Sequence, residues 1–129
     1  MEDLFLKALA LIVLLQVKHL FADYFLQTPI MLQNRGKYLH FGRALHVAVH
    51  IVGSAIAFAV VGAPLGMTAV IVAVEALVHF HIDFGKGRWS DFAQDSPDDA
   101  SYWRAHGVDQ AAHQLTYVGM VVAWALSLA

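Results

Sequence analysis

Four long apolar segments make up most of the chain, and shorter polar connections separate them. A helix of about 20 residues crosses the roughly 30 Å core of a bilayer, and each segment is close to that length. The pattern therefore predicts an all-α integral membrane protein, with a single transmembrane domain over residues 1–129. We expect a four-helix up-down-up-down bundle with a surface helix or loop between helices three and four. The predicted spans are about 4–27, 44–61, 65–84 and 108–128.

Ionisable residues recur in these segments at a fixed spacing. Each segment carries two residues drawn from His and Asp that are four positions apart, which puts both on one face of a helix. Charged groups inside a bilayer are costly unless they have partners. In the third segment, Glu75 extends the same face by one turn. The pairs are His19 with Asp23, His46 with His50, His79 with Asp83, and Asp109 with His113.

All four pairs lie near the segment ends that face the first and third connections. At 1.5 Å per residue they are about 6–14 Å deep, so an up-down bundle would bring them into one layer. Imidazole and carboxylate together suit one or two divalent transition metals, Zn, Mn or Fe. A single pair could equally serve as an interhelical hydrogen bond. We expect the metal ligands to be His19, Asp23, His46, His50, His79, Asp83, Asp109 and His113.

Composition supports a membrane setting and narrows the cofactors. The chain is 59% hydrophobic and 14% charged, whereas soluble domains are about 25% charged. It contains no cysteine, which excludes iron–sulfur clusters and thiolate sites. Haem is not expected, because its axial ligation does not need the carboxylates that accompany these histidines. The net charge of −2 gives no sign of a nucleic-acid partner.

The basic residues predict the orientation. Arg35, Lys37 and Arg43 lie in or beside the first connection, and the third connection carries Lys86 and Arg88, whereas the second has no charge. The positive-inside rule therefore puts connections one and three in the cytoplasm and both termini outside. A bundle of this size is compatible with a homodimer.

Four motifs carry a resemblance to a known family. In order and spacing they resemble the small bacterial membrane proteins known as domain of unknown function 3307, over nearly the whole chain. This resemblance implies a compact multi-span domain in the bacterial inner membrane. The motifs are also similar, more distantly, to membrane-bound metal-dependent hydrolases. They read Lys18-His-Leu-Phe-Ala-Asp-Tyr-Phe-Leu-Gln27, His46-Val-Ala-Val-His50, Glu75-Ala-Leu-Val-His79-Phe-His-Ile-Asp83-Phe-Gly-Lys86 and Asp109-Gln-Ala-Ala-His113-Gln.

The leading functional prediction is a metal-dependent hydrolase at the cytoplasmic leaflet. Its substrate would be a lipid or another amphiphilic ester or phosphoester, hydrolysed with metal-activated water. Glu75 or Asp23 would act as the catalytic base. Substrate-binding residues would be Lys18, Lys86, Arg88 and Gln27.

Three other functions fit the same pattern. Stacked His and acidic residues also suit a transporter of divalent metal ions or protons. A di-iron oxidase would use similar ligands. A structural or assembly subunit held together by a metal is the simplest alternative.

Overall fold

A computed structural model describes residues 2–128 of the chain and gives five helices. This range contains no strand, so the prediction of an all-helical protein is confirmed. The helices are α1 (Glu2–Tyr24), α2 (Pro29–Leu32), α3 (Phe41–Val60), α4 (Leu65–Ala93) and α5 (Ala100–Leu126).

Three of the helices, α1, α3 and α4, are long and apolar enough to cross a membrane. Their outer faces expose large apolar side chains, among them Phe5, Val52 and Leu77, as lipid-facing surfaces do. The fourth long helix, α5, is less apolar because Arg104 and Asp109 lie in its first half. The fourth predicted span therefore stays a prediction.

The four long helices contact one another in a closed ring. Helices α1 and α4 each pack against both α3 and α5. At one end, apolar side chains fill the interior of the ring, and we call this region the apolar core. Its largest members, all almost fully buried, are Leu11, Leu15, Phe58, Tyr117 and Trp124.

Residues 25–40 form a cap over one end of the ring, and the sequence analysis did not anticipate the short helix α2 within it. A Cβ atom at Gly42 would overlap the Ile30 main-chain carbonyl. At Gly87 it would overlap the Arg35 carbonyl. Because glycine alone lets two backbones approach so closely, these two positions hold the cap against α3 and α4.

Arg43 fixes the cap from inside. Its guanidinium donates hydrogen bonds to the main-chain oxygens of Tyr38 and Arg35. It also lies over the rings of Phe80 and Phe84, 5.0 and 5.2 Å from their centroids, a cation–π arrangement. The cap is therefore bound to both helices through one buried cation.

The connection between α4 and α5 is shorter than predicted. We expected a surface helix or loop between the spans that end at about residue 84 and begin at about residue 108, whereas α4 continues to Ala93 and α5 begins at Ala100. The reason is that α4 packs on the cap through Gly87, which extends the helix past the apolar segment. Asp99 is the N-cap residue of α5. Its carboxylate accepts hydrogen bonds from the Ser96 amide and hydroxyl, which lower the pKa of Asp99.

Candidate metal centre

Five imidazole rings meet in the interior beneath the cap. All are buried, and three pairs of neighbours have ring centroids only 4.0–4.6 Å apart. Their spacing in the sequence explains why they meet. Each histidine lies four positions from another site residue, so both share the inward face of their helix. The five are His19 from α1, His46 and His50 from α3, His79 from α4, and His113 from α5.

Asp23 is the centre of the first group of ligand atoms. Its Oδ1 atom lies 2.9 Å from His50 Nε2, and its Oδ2 atom lies 3.3 Å from His19 Nε2. The potential ligand atoms of this group lie within 4.8 Å of one another. Thus α1 supplies two ligands and α3 supplies the third.

Asp83 is the centre of the second group. Its Oδ2 atom lies 3.4 Å from His79 Nε2, and its Oδ1 atom lies 3.5 Å from His113 Nε2. Here α4 supplies two ligands and α5 supplies one, the same division as in the first group.

His46 lies between the two groups. Its Nε2 atom is 3.3 Å from Asp23 Oδ1 and 3.6 Å from Asp83 Oδ2. With His50 and His79 it also forms a third set of atoms close enough for one ion. Two neighbouring metals, each with three protein ligands and His46 available to either, fit this arrangement.

Around Asp83 the distances suit a tetrahedral metal better than direct hydrogen bonds, whereas the 2.9 Å contact between Asp23 Oδ1 and His50 Nε2 is a hydrogen bond. Metal bonds of about 2.0–2.2 Å to nitrogen and oxygen put neighbouring ligand atoms about 3.3–3.6 Å apart in a tetrahedron. The contacts of Asp83 are 3.4, 3.5 and 3.6 Å. Charge-assisted hydrogen bonds would be about 2.7–2.9 Å. The ligand atoms around Asp83 are therefore spaced as the corners of a coordination shell.

Several buried ligand atoms have no hydrogen-bond partner, which is the second sign of a metal. Both ring nitrogens of His79 are unpartnered, as are His113 Nε2, His46 Nδ1 and Asp109 Oδ1. A buried polar atom without a partner costs about 1–3 kcal/mol. Of these atoms, His79 Nε2 and His113 Nε2 face Asp83, at 3.4 and 3.5 Å from its carboxylate oxygens. One cation beside Asp83 could therefore satisfy both nitrogens, and these residues fit a metal ion.

Asp109 is the one predicted ligand outside the three sets. Its Oδ1 atom is 4.0 Å from His113 Nδ1, and its Oδ2 atom is 3.9 Å from Lys86 Nζ. The main-chain oxygen of Asp109 instead accepts a 2.8 Å hydrogen bond from His113 Nδ1. This bond turns Nε2 toward Asp83, as the outer partners of metal-bound histidines do.

A second polar layer lies between the ligands and the apolar core. Lys18 Nζ donates to Glu75 Oε1 at 2.7 Å, and the Ser54 hydroxyl donates to the same oxygen at 2.9 Å. Lys18 Nζ also lies 3.1 Å from His50 Nδ1. Glu75 is thus one step removed from the ligand atoms, and Lys18 connects it to them.

Tyr117 and Gln110 hold His19 in place. The Tyr117 hydroxyl lies 2.9 Å from His19 Nδ1, and Gln110 Oε1 lies 3.0 Å from His19 Nε2. Tyr117 was not among the predicted site residues, although it lies four positions after His113 and so on the same helix face as His113 and Asp109. Ser54 likewise lies four positions after His50 and shares a face with His46 and His50. The spacing of four therefore marks both residues.

A small opening of about 30 Å³ leads from the cap to the ligands. A cavity of this size holds a water molecule or two. Of the predicted substrate-binding residues, Gln27 and Lys86 line it, Lys18 lies beneath the ligands, and Arg88 is exposed and outside the lining. The other lining residues are Asp23, Met31, Arg35, Arg43, His46, Asp83 and Asp109.

Arg35 and Arg43 are additions that the sequence did not reveal. With Lys86 they bring three cations to the opening. The Arg35 guanidinium donates a 2.8 Å hydrogen bond to Gln27 Oε1, which fixes it beside the opening. We had used both arginines only as orientation signals, because nothing in their spacing shows that the cap folds back over the ligands.

The basic and acidic side chains around the site are equal in number. Lys18 is paired with Glu75, and Lys86 faces Asp109. Arg35 and Arg43 line the opening together with Asp23 and Asp83, whose nearest nitrogen atoms belong to imidazoles. Divalent cations would therefore add positive charge to the site, which an anionic ligand could neutralise.

Comparison with known proteins identifies the family. Neither a search of curated proteins nor a search of solved structures finds a match. A family model described as "Protein of unknown function (DUF3307)" matches residues 11–129, a range that includes every ligand described above. The chain belongs to the DUF3307 family.

Proposed function

We propose that the protein is a metal-dependent hydrolase that acts on a lipid or another amphiphilic ester or phosphoester at the cytoplasmic leaflet. The observation that carries the proposal is the pair of His–Asp–His sets, one around Asp23 and one around Asp83. Three protein ligands with an open position are typical of catalytic rather than structural zinc sites. The opening above them, lined by three basic and three acidic side chains, would admit a water molecule.

The residues divide into ligands, a base and anion-binding groups. A divalent metal would supply Lewis acidity toward an ester or phosphoryl oxygen and would activate water. Asp23 suits the role of proton acceptor by its position, because it lines the opening and Glu75 does not. Arg35 and Lys86 are positioned to bind an anionic oxygen that enters through the opening.

The membrane arrangement is part of the proposal. All four long helices would cross the bilayer in up-down-up-down order, with the cap on the cytoplasmic side and both termini outside. In a bacterium this membrane would be the inner membrane. The ligands would then lie within reach of lipid headgroups and cytoplasmic water alike.

The apolar core favours hydrolysis over transport. Beyond Lys18 and Glu75 the interior is filled by Leu11, Leu15 and Phe58, each 0% exposed. An ion path would need polar groups across the whole thickness of the bilayer. In this protein the clustered polar side chains form two adjacent layers near the cap, which suits a site reached from one side.

The test is bound metal, measured by mass spectrometry on protein purified in detergent without a histidine tag. We expect transition metal in the wild-type chain and its partial or complete loss in His79→Gln. The matched control is His81→Gln, two residues away on the same helix, where the exposed ring binds Leu77 O and Tyr38 Oη instead. A panel of acyl and phosphoryl esters then tests turnover.

Two results would contradict the proposal. A folded wild-type chain without metal would remove the basis for hydrolysis, and the His–Asp groups would then be hydrogen-bonding contacts. Metal uptake into proteoliposomes, with no turnover of any ester, would favour transport.

A further inference from the structure

A groove runs along the outside of the molecule between α4 and α5. Its volume is about 760 Å³, within the range of about 300–1,000 Å³ that is typical of ligand sites. The groove exists because residues with little or no side chain, Gly85 on α4 and Ala105 on α5, face it. Ile82, Val108 and the ring of Trp89 complete a mostly apolar wall.

The groove adjoins the opening above the metal ligands. Lys86 and Asp109 line both spaces, so their side chains form the partition between them. Lys86 Nζ lies 3.9 Å from Asp109 Oδ2, which is too long for a direct hydrogen bond. A small movement of either side chain would therefore join the groove to the opening.

Charge is concentrated at one end of the groove. Arg104 and Lys86 bring two cations to the turns near the cap, whereas Asp109 is the one acidic residue of the lining. Trp89 is 46% exposed beside them, and tryptophan is enriched where apolar and aqueous phases meet. The other end is lined by Ile82 and Ala112, with His81 as a polar residue beside them.

We infer that this groove binds one acyl chain of an anionic lipid, with the headgroup at Lys86 and Arg104 beside the metal site. The inference rests on the proposed function, because it names the charge of the substrate and the side from which it arrives. The anionic headgroup replaces Asp109 as the partner of Lys86 and is thereby brought to the opening. A zwitterionic lipid gains less from the two cations.

The experiment uses Trp89 as a reporter, since its ring lines the groove. The full chain in detergent is titrated with phosphatidylglycerol that carries brominated acyl chains, which quench tryptophan on contact. The difference between wild type and Trp89→Phe isolates the Trp89 signal from Trp103 and Trp124. We expect saturable quenching of Trp89, and weaker quenching by brominated phosphatidylcholine.

Two glycines provide a matched pair of variants. A Cβ atom at Gly85 or at Gly119 meets nothing within 4 Å, and leucine raises helix propensity over glycine, so both chains should fold. Gly85→Leu fills the groove and should abolish the quenching of Trp89. Gly119→Leu, outside the groove, should leave it unchanged. Lys86→Gln should weaken binding of the anionic lipid about fivefold, as expected for one basic residue near an anionic surface.

Equal quenching in Gly85→Leu and Gly119→Leu would overturn the inference, as would equal affinity for the two lipids. The same titration in Asp83→Asn keeps this test separate from that of hydrolysis. Quenching of Trp89 in that variant, with no ester hydrolysis by the wild type, would contradict the proposed hydrolase and support the lipid site. Ester hydrolysis by the wild type, without quenching that depends on the groove, would support the hydrolase and contradict the lipid site.

Discussion

The two ends of the helix ring are equally buried but differ in what compensates for burial. At the apolar core, Phe58 and Trp124 pack against other apolar side chains and are 0% and 1% exposed. At the candidate metal centre, His50 and His79 are just as buried, at 0% and 1%. Packing accounts for most of the first end, where the Trp124 indole Nε1 atom lacks a hydrogen-bond partner. At the second end, nitrogen atoms of His46, His79 and His113 lack a partner, so more of the buried hydrogen-bonding capacity is left unused there.

This difference separates residues that stabilise the fold from residues that would carry out the proposed chemistry. Stability should come from the apolar core, because close packing of apolar side chains is a main favourable term where lipid surrounds the helices. Binding should come from the candidate metal centre, whose partly buried carboxylates cost free energy unless cations neutralise them. Variants at the two ends should therefore have opposite signatures.

The largest effect on stability should come from Phe58→Ala. The variant leaves a cavity in the apolar core, which lowers the free energy of unfolding by about 3–5 kcal/mol. Metal per folded chain should stay unchanged, as measured by denaturation in detergent followed by mass spectrometry. Val52→Ala is the control on the same helix, since Val52 is 60% exposed. Loss of bound metal in Phe58→Ala would mean that the packing of the apolar core and metal binding are energetically coupled.

Asp83→Asn should have the opposite signature. It removes a buried charge, so the metal-free variant should be as stable as the metal-free wild type or more stable. Saturating metal at about 100 times its Kd should stabilise the wild type by about 2.7 kcal/mol. The variant should gain less, and its hydrolytic activity should be lost. Thermal unfolding without added metal measures the stability of the metal-free chains, and unfolding with added metal measures the stabilisation that the metal gives. An equal metal-induced shift in both chains would remove Asp83 from the ligand set.

A smaller effect is expected from Tyr117→Phe, at the boundary between the two ends. The variant keeps the apolar ring in the core and removes the hydroxyl that holds His19 Nδ1. Outer partners of metal ligands typically contribute 10- to 100-fold in affinity, and we expect a loss of about that size. Competition with a metal-binding dye measures it. Tyr24→Phe, an exposed tyrosine bonded to His106, should change nothing. Unaltered affinity in Tyr117→Phe would show that the hydroxyl does not orient His19.

The spacing of the sequence predicted which side chains gather in the interior better than it predicted the hydrogen bonds around them. Positions four apart on an apolar helix share a face, so His79 and Asp83 had to point the same way. Their common depth brought seven of the eight expected ligands into the three sets. The bond between Lys18 and Glu75 was not predictable in this way. It joins residues 57 positions apart, and it depends on how two helices are rotated about their axes.

Tertiary contacts also override local signals. The run after Phe84 contains Gly85, Gly87 and several charges, which favoured a loop there. In the structure this run is helical, because Gly87 lets the cap approach α4. The cap itself could not be placed, since its attachment to Arg43 depends on two main-chain oxygens and not on a side-chain pattern.

The division of the ligands between the two halves of the chain has a consequence for its ancestry. In each half, the first long helix contributes a histidine and an aspartate four positions on, His19 with Asp23 and His79 with Asp83. The next long helix then contributes the third ligand, His50 or His113, in the second position of its own pair. The two halves of the chain therefore repeat one pattern of potential ligands, which is the pattern that duplication and fusion of a shorter gene would produce.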